Sequence, residues 1–410
     1  MKRISIFFVS LVLTSFLPGC TSQRQLHDRL IVQGIGIDSE GDKYKVTVDI
    51  FDADSSEEEL KSKIVQSQGD SVSEALSNIS SQTGEQLLYS QNFVILIGEE
   101  VARRGTNEII DFFVRHYEAR PSVSIFSVNG PAADVMRCNF DGKPVTSQNI
   151  EDIAKADFLN AKDIGSNVLK FVSSIKNETS DPKTLSLKLV KTEDKEEKKE
   201  GTQGKEETKE KEETVGEEET QSKEKEGNQK KEINSLESGG IAVFSGDKLK
   251  GFLNKEENLG AVLLASCKVK DLVRVLDIPD VGKVSFNITD SNSELSTLVE
   301  NSTVICNIDV NVSASIYEFD KKGHQNIKKL ENHRGTLEEE ISKNLNFCIW
   351  RAIDKVILQY ESDIFCIGQR LFKSDPDHYR ELSKNWKEAI RNGIYFVKVH
   401  TKLESTGREI

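Results

Sequence analysis

The sequence predicts an α+β protein of more than one domain, on three observations. Short alternating or wholly apolar runs that read as strands are interleaved with amphipathic runs that read as helices, in no regular βαβ order. A chain of 410 residues is long for one core and predicts two or three domains. A long charged stretch sits between strand-like runs that belong together, so it reads as an insertion within a sheet.

The elements follow in order. Tyr44 to Phe51 (YKVTVDIF) alternates as a half-buried strand. Val72, Ala75, Leu76 and Ile79 fall on one helix face, with Asp70 or Ser71 as the cap. Phe93 to Ile97 (FVILI) reads as a strand buried on both faces. A helix opening at Thr106 or Asn107 turns Ile109, Ile110, Phe113 and Tyr117 inward, and Ser122 to Val128 is the next strand. Gly34 and Gly36, in Gly34-Ile35-Gly36-Ile37-Asp38, suit close backbone approach in a sheet; a third glycine and a following helix, which a phosphate loop needs, are missing.

The stretch from Lys191 to Ser238 holds 11 Lys against 17 Asp plus Glu, no aromatic residue and three aliphatics. It cannot bury enough apolar surface to offset its ordering entropy, and reads as a disordered insertion. Before it, Leu185 to Val190 alternates as a strand. After it come Gly240 to Phe244, a Ser245-Gly246-Asp247 turn and Lys248 to Leu253, a hairpin pattern. Loop-closure entropy grows slowly with length, so a sheet tolerates such a loop.

Further on, Ser302 to Phe319 reads as a long strand region broken near Asn311. A long helix opens with a capping box, Thr336-x-x-Glu339, and turns Leu337, Ile341, Leu345, Cys348, Ala352 and Val356 to the core. A second helix spans Tyr379 to Ile390 and carries Trp386; Tyr395 to Leu403 is the last strand.

The N-terminus carries the clearest chemistry. Met1-Lys2-Arg3 is basic, and Ile4 to Leu17 is apolar but too short to span a bilayer. The run fits the core of a signal peptide. It ends in Leu17-Pro18-Gly19-Cys20, a small residue before a cysteine, which is the pattern of a bacterial lipoprotein signal; Pro18 is unusual there. Lipid on Cys20 and cleavage before it are expected, leaving residues 1–19 as signal peptide and 20–30 as anchor and tether. No later run is long and apolar enough to cross a membrane.

The net charge of -13 argues against a nucleic-acid binder, which would show a basic face. With Cys20 lipidated, five cysteines remain (Cys138, Cys267, Cys306, Cys348, Cys366), none in a CxxC. Most sit in apolar surroundings and read as small buried side chains, although one disulfide of undetermined partners is open. There is no HExxH, GxSxG or GxxxxGK[ST], and the six histidines are scattered. No catalytic, metal or cofactor residue is expected, which favours a binding or assembly role.

Several pieces, in order, resemble the Ger(x)C proteins, the lipoprotein C subunits of spore germinant receptors. They are Asp28 to Asp38 (DRLIVQGIGID), Lys43 to Val48, Asp70 to Leu76 (DSVSEAL) and Phe93 to Glu100 (FVILIGEE). Asp111 to Arg115 and Glu118 to Pro121 follow. Ala242 to Leu253, Glu361 to Phe365 (ESDIF) with Gly368, Trp386, and Thr406-Gly407 complete the set.

The resemblance implies a non-enzymatic subunit, lipid-anchored on the outer face of the inner spore membrane. It implies assembly with membrane-embedded A and B subunits into a nutrient receptor. It also implies three α+β domains with their own sheets: residues 31–137, 138–275 with the insertion 191–238, and 280–408. No catalytic residue transfers with the family; Cys20 is the one position with a defined chemical role. Arg115, Glu118 and Arg120 form either an ion-pair cluster or part of a subunit interface, and Asp363 caps a helix. The alternative is a solute-binding lipoprotein of an envelope transporter, expected to show two βαβ-rich lobes and an aromatic-lined cleft; aromatics are only 7%. An envelope hydrolase, the third reading, should show paired carboxylates or a zinc motif.

Overall fold

The structure is a computed structural model, and it describes residues 29–51, 62–116, 120–140, 143–156, 167–191, 234–265, 269, 272–278, 281–319 and 333–405. The expected signal peptide, Cys20, Cys267, Tyr117, Glu118, Thr406-Gly407 and almost all of the charged insertion lie outside them.

The chain opens with an antiparallel meander, β1 (Arg29–Glu40), β2 (Lys43–Ile50) and β3 (Lys63–Gly69). The first turn is tight because Gly41 takes φ +64°. Helix α1 (Val72–Thr83) follows, capped as expected: Ser71 Oγ accepts the Glu74 N–H at 3.1 Å, and the Glu74 carboxylate accepts the Asp70 N–H at 2.7 Å. It buries Val72, Ala75, Leu76 and Ile79. Next come β4 (Gln86–Leu88), β5 (Val94–Ile97), helices α2 (Glu99–Arg104) and α3 (Asn107–Arg115), and β6 (Ser124–Asn129). After β6 lie α4 (Ala132–Met136), a short β7–β8 pair (Asn139–Phe140, Lys143–Pro144), α5 (Ser147–Ala156) and α6 (Val168–Ile175). Strands β9 (Lys183–Lys191), β10 (Asn234–Ser245) and β11 (Lys248–Phe252) then lead to helix α7 (Lys255–Leu264).

These strands make one nine-stranded sheet, in the order β11-β10-β9-β6-β5-β1-β2-β3, with β4 also beside β1. Its centre (β9, β6, β5, β1) is parallel and its flanks are antiparallel. All four residues of β5 are buried, as a central parallel strand requires. Ile95 and Ile97 face a core shared with α1 and α3, while Val94 and Leu96 face the opposite one.

Among the described residues, the middle segment supplies no extended sheet of its own, where the resemblance had implied one: β9 docks on β6 in parallel register, Phe126 beside Leu185. The buried Ser127 and Thr184 hydroxyls hydrogen-bond across the seam at 2.9 Å. The loop reading of the insertion is consistent with the pairing on either side of it, because β9 and β10 are antiparallel neighbours with Lys191 opposite Asn234.

The second sheet, β12-β13-β14-β15, comprises β12 (Leu272–Ile278), β13 (Gly282–Glu300), β14 (Thr303–Phe319) and β15 (Ile394–Ser405), the last parallel to β14. Strand β14 runs unbroken through Asn311, because β13 pairs with it along almost its whole length. Asn301 (φ 49°) and Ser302 (φ 61°) form the two-residue turn between them, the left-handed geometry a tight hairpin needs.

Helix α8 (Arg334–Ile353) packs against this sheet and against α7 and continues as a π-helical turn through Gln359. It buries Leu337, Ile341, Leu345, Cys348, Ala352 and Val356, as read from the sequence. The expected Thr336 cap is not used: the helix begins at Arg334, and Glu339 instead pairs with Lys343 at 2.8 Å. The single helix expected over Tyr379 to Ile390 is broken. After α9 (Ile367–Ser374) come α10 (Pro376–Leu382), a 3-10 turn over Ser383–Asn385, and α11 (Trp386–Arg391). One hydrophobic core runs without interruption from the first sheet through α7 and α8 into the second. Among the described residues, no helix is long and apolar enough to cross a membrane.

Candidate functional site at the junction of the two sheets

Two clusters gather most of the sequence motifs. In the first, Asp38 at the end of β1 accepts the backbone N–H groups of Ala132 (2.7 Å) and Ala133 (2.8 Å). Burial nevertheless pushes its carboxyl above the usual range. Gly98 must be glycine here, since a Cβ would fall 2.0 Å from Asp38 Oδ1. A Cβ on Gly34 would stand 2.2 Å from Ser147 Oγ, whose hydroxyl donates to buried Asp49 at 2.5 Å. A Cβ on Gly36 would stand 3.0 Å from Met136 Cγ on α4, so the two glycines of the sequence motif let α4 and α5 approach the sheet, as expected.

The second cluster joins the sheets. Asp363 sits in the turn between α8 and α9, fully buried. Its carboxylate accepts the N–H groups of Ile367 and Gly368, each at 2.8 Å, and the Trp386 indole N–H at 3.0 Å. It therefore caps α9, as read from the sequence, although Cys366 holds the N-cap position. Burial raises its pKa to about 6 against the lowering effect of these donors, and the nearby Asp181 charge adds to the rise.

Across the junction, the Asp363 N–H donates to the Asp181 carboxylate at 2.8 Å, and the Asp181 N–H to the Asp363 carbonyl at 3.0 Å. Asp181 also accepts the Gly246 N–H at 2.7 Å and lies 3.7 Å from Lys387 Nζ. Ser362 Oγ donates to the Phe244 carbonyl at 2.5 Å, Lys183 Nζ to that of Ile364 at 2.8 Å, and Tyr379 OH to that of Glu178 at 2.8 Å. Glu361, at φ 50°, pairs with Arg391 at 3.0 Å. A Cβ on Gly368 would stand 2.8 Å from the Thr179 carbonyl oxygen and 3.0 Å from Trp386. The Glu361–Phe365 motif, Gly368 and Trp386 thus clasp the ends of β9 and β10.

Over this clasp opens a cleft of about 640 Å³, lined by both signs of charge, Asp181, Glu361 and Glu388 with Lys384, Lys387 and Arg391. Most of these charges are already partnered by the clasp, so the cleft reads as structure rather than as a reaction site. Sequence reasoning found Asp363 and Trp386 but missed Asp181, Lys183 and Lys387, which lie in weakly patterned polar sequence.

Other expected residues do not assemble. Arg115 pairs with Asp111 on its own helix at 2.6 Å, and Arg120 donates to the Asn92 carbonyl at 2.8 Å, so these two arginines serve separate contacts. Cys138, Cys306 and Cys348 are buried and Cys366 is half-buried; burial pushes the Cys306 thiol up to about 12, far from a reactive thiolate. Among the described residues, no three His, Cys, Asp or Glu side chains stand together as a metal-binding group.

Comparison with known proteins assigns the two halves. Residues 22–189 match the spore germination protein N-terminal domain, and residues 239–407 match the spore germination B3/GerAC-like C-terminal domain. The chain is a member of the Ger(x)C family. Spore germination protein B3 of Bacillus subtilis (strain 168) is 22% identical to this Ger(x)C chain over 99% of both. Spore germination protein KC of the same organism is 20% identical over 99% of this chain and 97% of its own. The crystal structure of the GerBC protein shares the fold, with a TM-score of 0.50 and 16% identity, covering 90% of this chain and 97% of that one. The two matched regions flank the charged insertion, and the clasp lies at their meeting point, with Asp181 from the first and Gly246, Asp363 and Trp386 from the second.

Proposed function

We propose that this Ger(x)C chain is the non-catalytic lipoprotein C subunit of a nutrient germinant receptor. Lipid on Cys20 holds it to the outer face of the inner spore membrane, where it assembles with the A and B subunits. The observation that carries this reading is the match of both spore germination domains, in order, behind the Leu17-Pro18-Gly19-Cys20 sequence that reads as a lipoprotein signal. The geometry supports a structural role: the motif residues are spent on capping, clasping and close backbone approach, with buried carboxylates satisfied by backbone donors.

The test is to tag the chain in its spore-forming host, solubilise spore inner membranes in mild detergent, and identify what co-purifies. Recovery of membrane-embedded A and B subunits supports the reading. Recovery of a transport permease instead would replace it with the solute-binding one.

A further inference from the structure

Six of the twelve large apolar side chains that stand exposed among the described residues gather at one corner of the second sheet. Phe347 (50% exposed), Trp350 (42%) and Leu358 (39%) project from the α8 segment beside the edge of β15. Ile394 (46%) and Phe396 (54%) project from the start of that strand on the opposite face from Tyr395, so the apolar side chains wrap around the edge. Leu298 joins them, in register across three strands with Ile305 and Ile394.

The corner is an interruption in an otherwise polar sheath. Arg334, Glu338, Ser342 and Asn346, four residues apart on α8, bond the open edge of β15. Arg334 donates to the Leu403 carbonyl, Glu338 accepts the Leu403 N–H at 2.9 Å, Ser342 accepts the Thr401 N–H at 3.1 Å, and Asn346 reaches the Val397 carbonyl at 3.4 Å. The next residue of that row is Trp350. Beside it a groove of about 450 Å³ opens, walled by Phe347, Leu358 and Tyr395 and rimmed by Arg351, Arg391 and Asp354. Lys355 adds a further cation, lying 4.8 Å over the Tyr360 ring. An exposed patch of this kind marks a contact surface.

The placement of the chain's start indicates what it contacts. Strands β1, β5, β6 and β9 are parallel, so Arg29 and the segment before β9, with Asp181, lie at one end of the first sheet. Arg391 lines both the cleft beside Asp181 and the apolar groove, which puts the corner next to that same end. The eight residues between Cys20 and Arg29 span at most about 30 Å when extended. A lipid on Cys20 therefore keeps that end of the molecule close to a bilayer without fixing its orientation.

We infer that this corner is a lipid-contacting surface, in which Phe347, Trp350, Leu358, Ile394 and Phe396 enter the interface of an anionic membrane. Arg351 and Lys355 meet its phosphate groups. Aromatic side chains favour the headgroup boundary, and cations beside an apolar face add attraction to anionic lipid. The inference rests on the lipid anchoring proposed above.

The two tryptophans provide the test, since Trp386 is buried in the clasp and Trp350 is exposed. The acylated full chain is reconstituted in phosphatidylglycerol vesicles, and quenching by brominated acyl chains is compared with quenching by aqueous iodide. The expected result is a blue shift, quenching from the acyl side and protection from iodide, all lost in Trp350→Phe. Phe347→Asp, checked for native circular dichroism, weakens acyl-side quenching about tenfold.

Iodide quenching unchanged from the lipid-free state overturns the inference. So does protection that appears only when membrane-embedded subunits are added. Mass spectrometry of the N-terminal peptide reports on the anchor separately. If Cys20 carries no acyl group, the anchoring reading falls, and Cys20→Ala chain with the same vesicles decides the surface: acyl-side quenching supports it and its absence overturns it.

Discussion

Trp386 donates its indole N–H to the Asp363 carboxylate at 3.0 Å, in a site where both side chains are buried. The bond ties α11 to the start of α9 and, through the two hydrogen bonds between Asp181 and Asp363, ties both to the amino end of β9. A hydrogen bond to a buried charged group is worth more than a neutral one. Trp386→Phe keeps most of the apolar contact and removes the donor. It is expected to destabilise the chain by about 2 kcal/mol, read as a lower urea midpoint at unchanged slope.

Asp363 also makes stability depend on pH. In the folded chain its carboxyl holds a proton up to about pH 6, whereas the unfolded chain releases it near 3.8. Between these values the folded state binds more protons, so the contribution of this group to stability falls as pH rises. The cost is absent below about pH 3.8, complete above about pH 6, and on the order of 3 kcal/mol. Asp38 and Asp49, both raised by burial, act in the same direction. The difference in unfolding free energy between wild type and Asp363→Asn, followed from pH 4 to pH 7, isolates the Asp363 part. It is expected to shift against the wild type as pH rises, and a flat difference would contradict the assignment.

Gly260 marks the tightest helix contact. A Cβ there would stand 2.0 Å from the Cys348 carbonyl oxygen and 2.5 Å from its carbon, backbone atoms of α8 that have little room to move. In an open helix, Gly→Ala stabilises by up to about 1 kcal/mol. Here Gly260→Ala is expected to reverse sign and destabilise by about 3 kcal/mol, because α7 and α8 must separate within the continuous core. Thermal unfolding of Gly260→Ala beside an exposed control, Gly335→Ala, checks this.

Local signals in the sequence were the legible ones. The Ser71 cap, the buried stripe of α1, the all-apolar β5 and the apolar face of α8 each follow from spacing within a few residues, and each formed. The α+β class followed from the same patterns. Strand β13 went unread because its middle is polar on both faces, with Ser291 and Ser293 on the buried side between exposed Asp290, Asn292 and Glu294; the Asn301-Ser302 turn between alternating runs was the available signal. The partner of β9 could not be read, since alternation identifies a strand and not its neighbour. In the clasp, Asp363 was legible as a helix cap. Its link to Trp386 spans 23 positions and its link to Asp181 spans 182, and no local pattern encodes such contacts.

A membrane-held receptor subunit depends on the lipid at Cys20, and Cys20→Ala removes the thiol that would carry it. Spore inner membranes from wild type and Cys20→Ala are fractionated, and germination is scored on a panel of nutrients in a host lacking redundant receptors. The wild-type chain is expected to stay with the membrane, and Cys20→Ala to lose both retention and one nutrient response. Release of the chain with normal germination on every nutrient would contradict it.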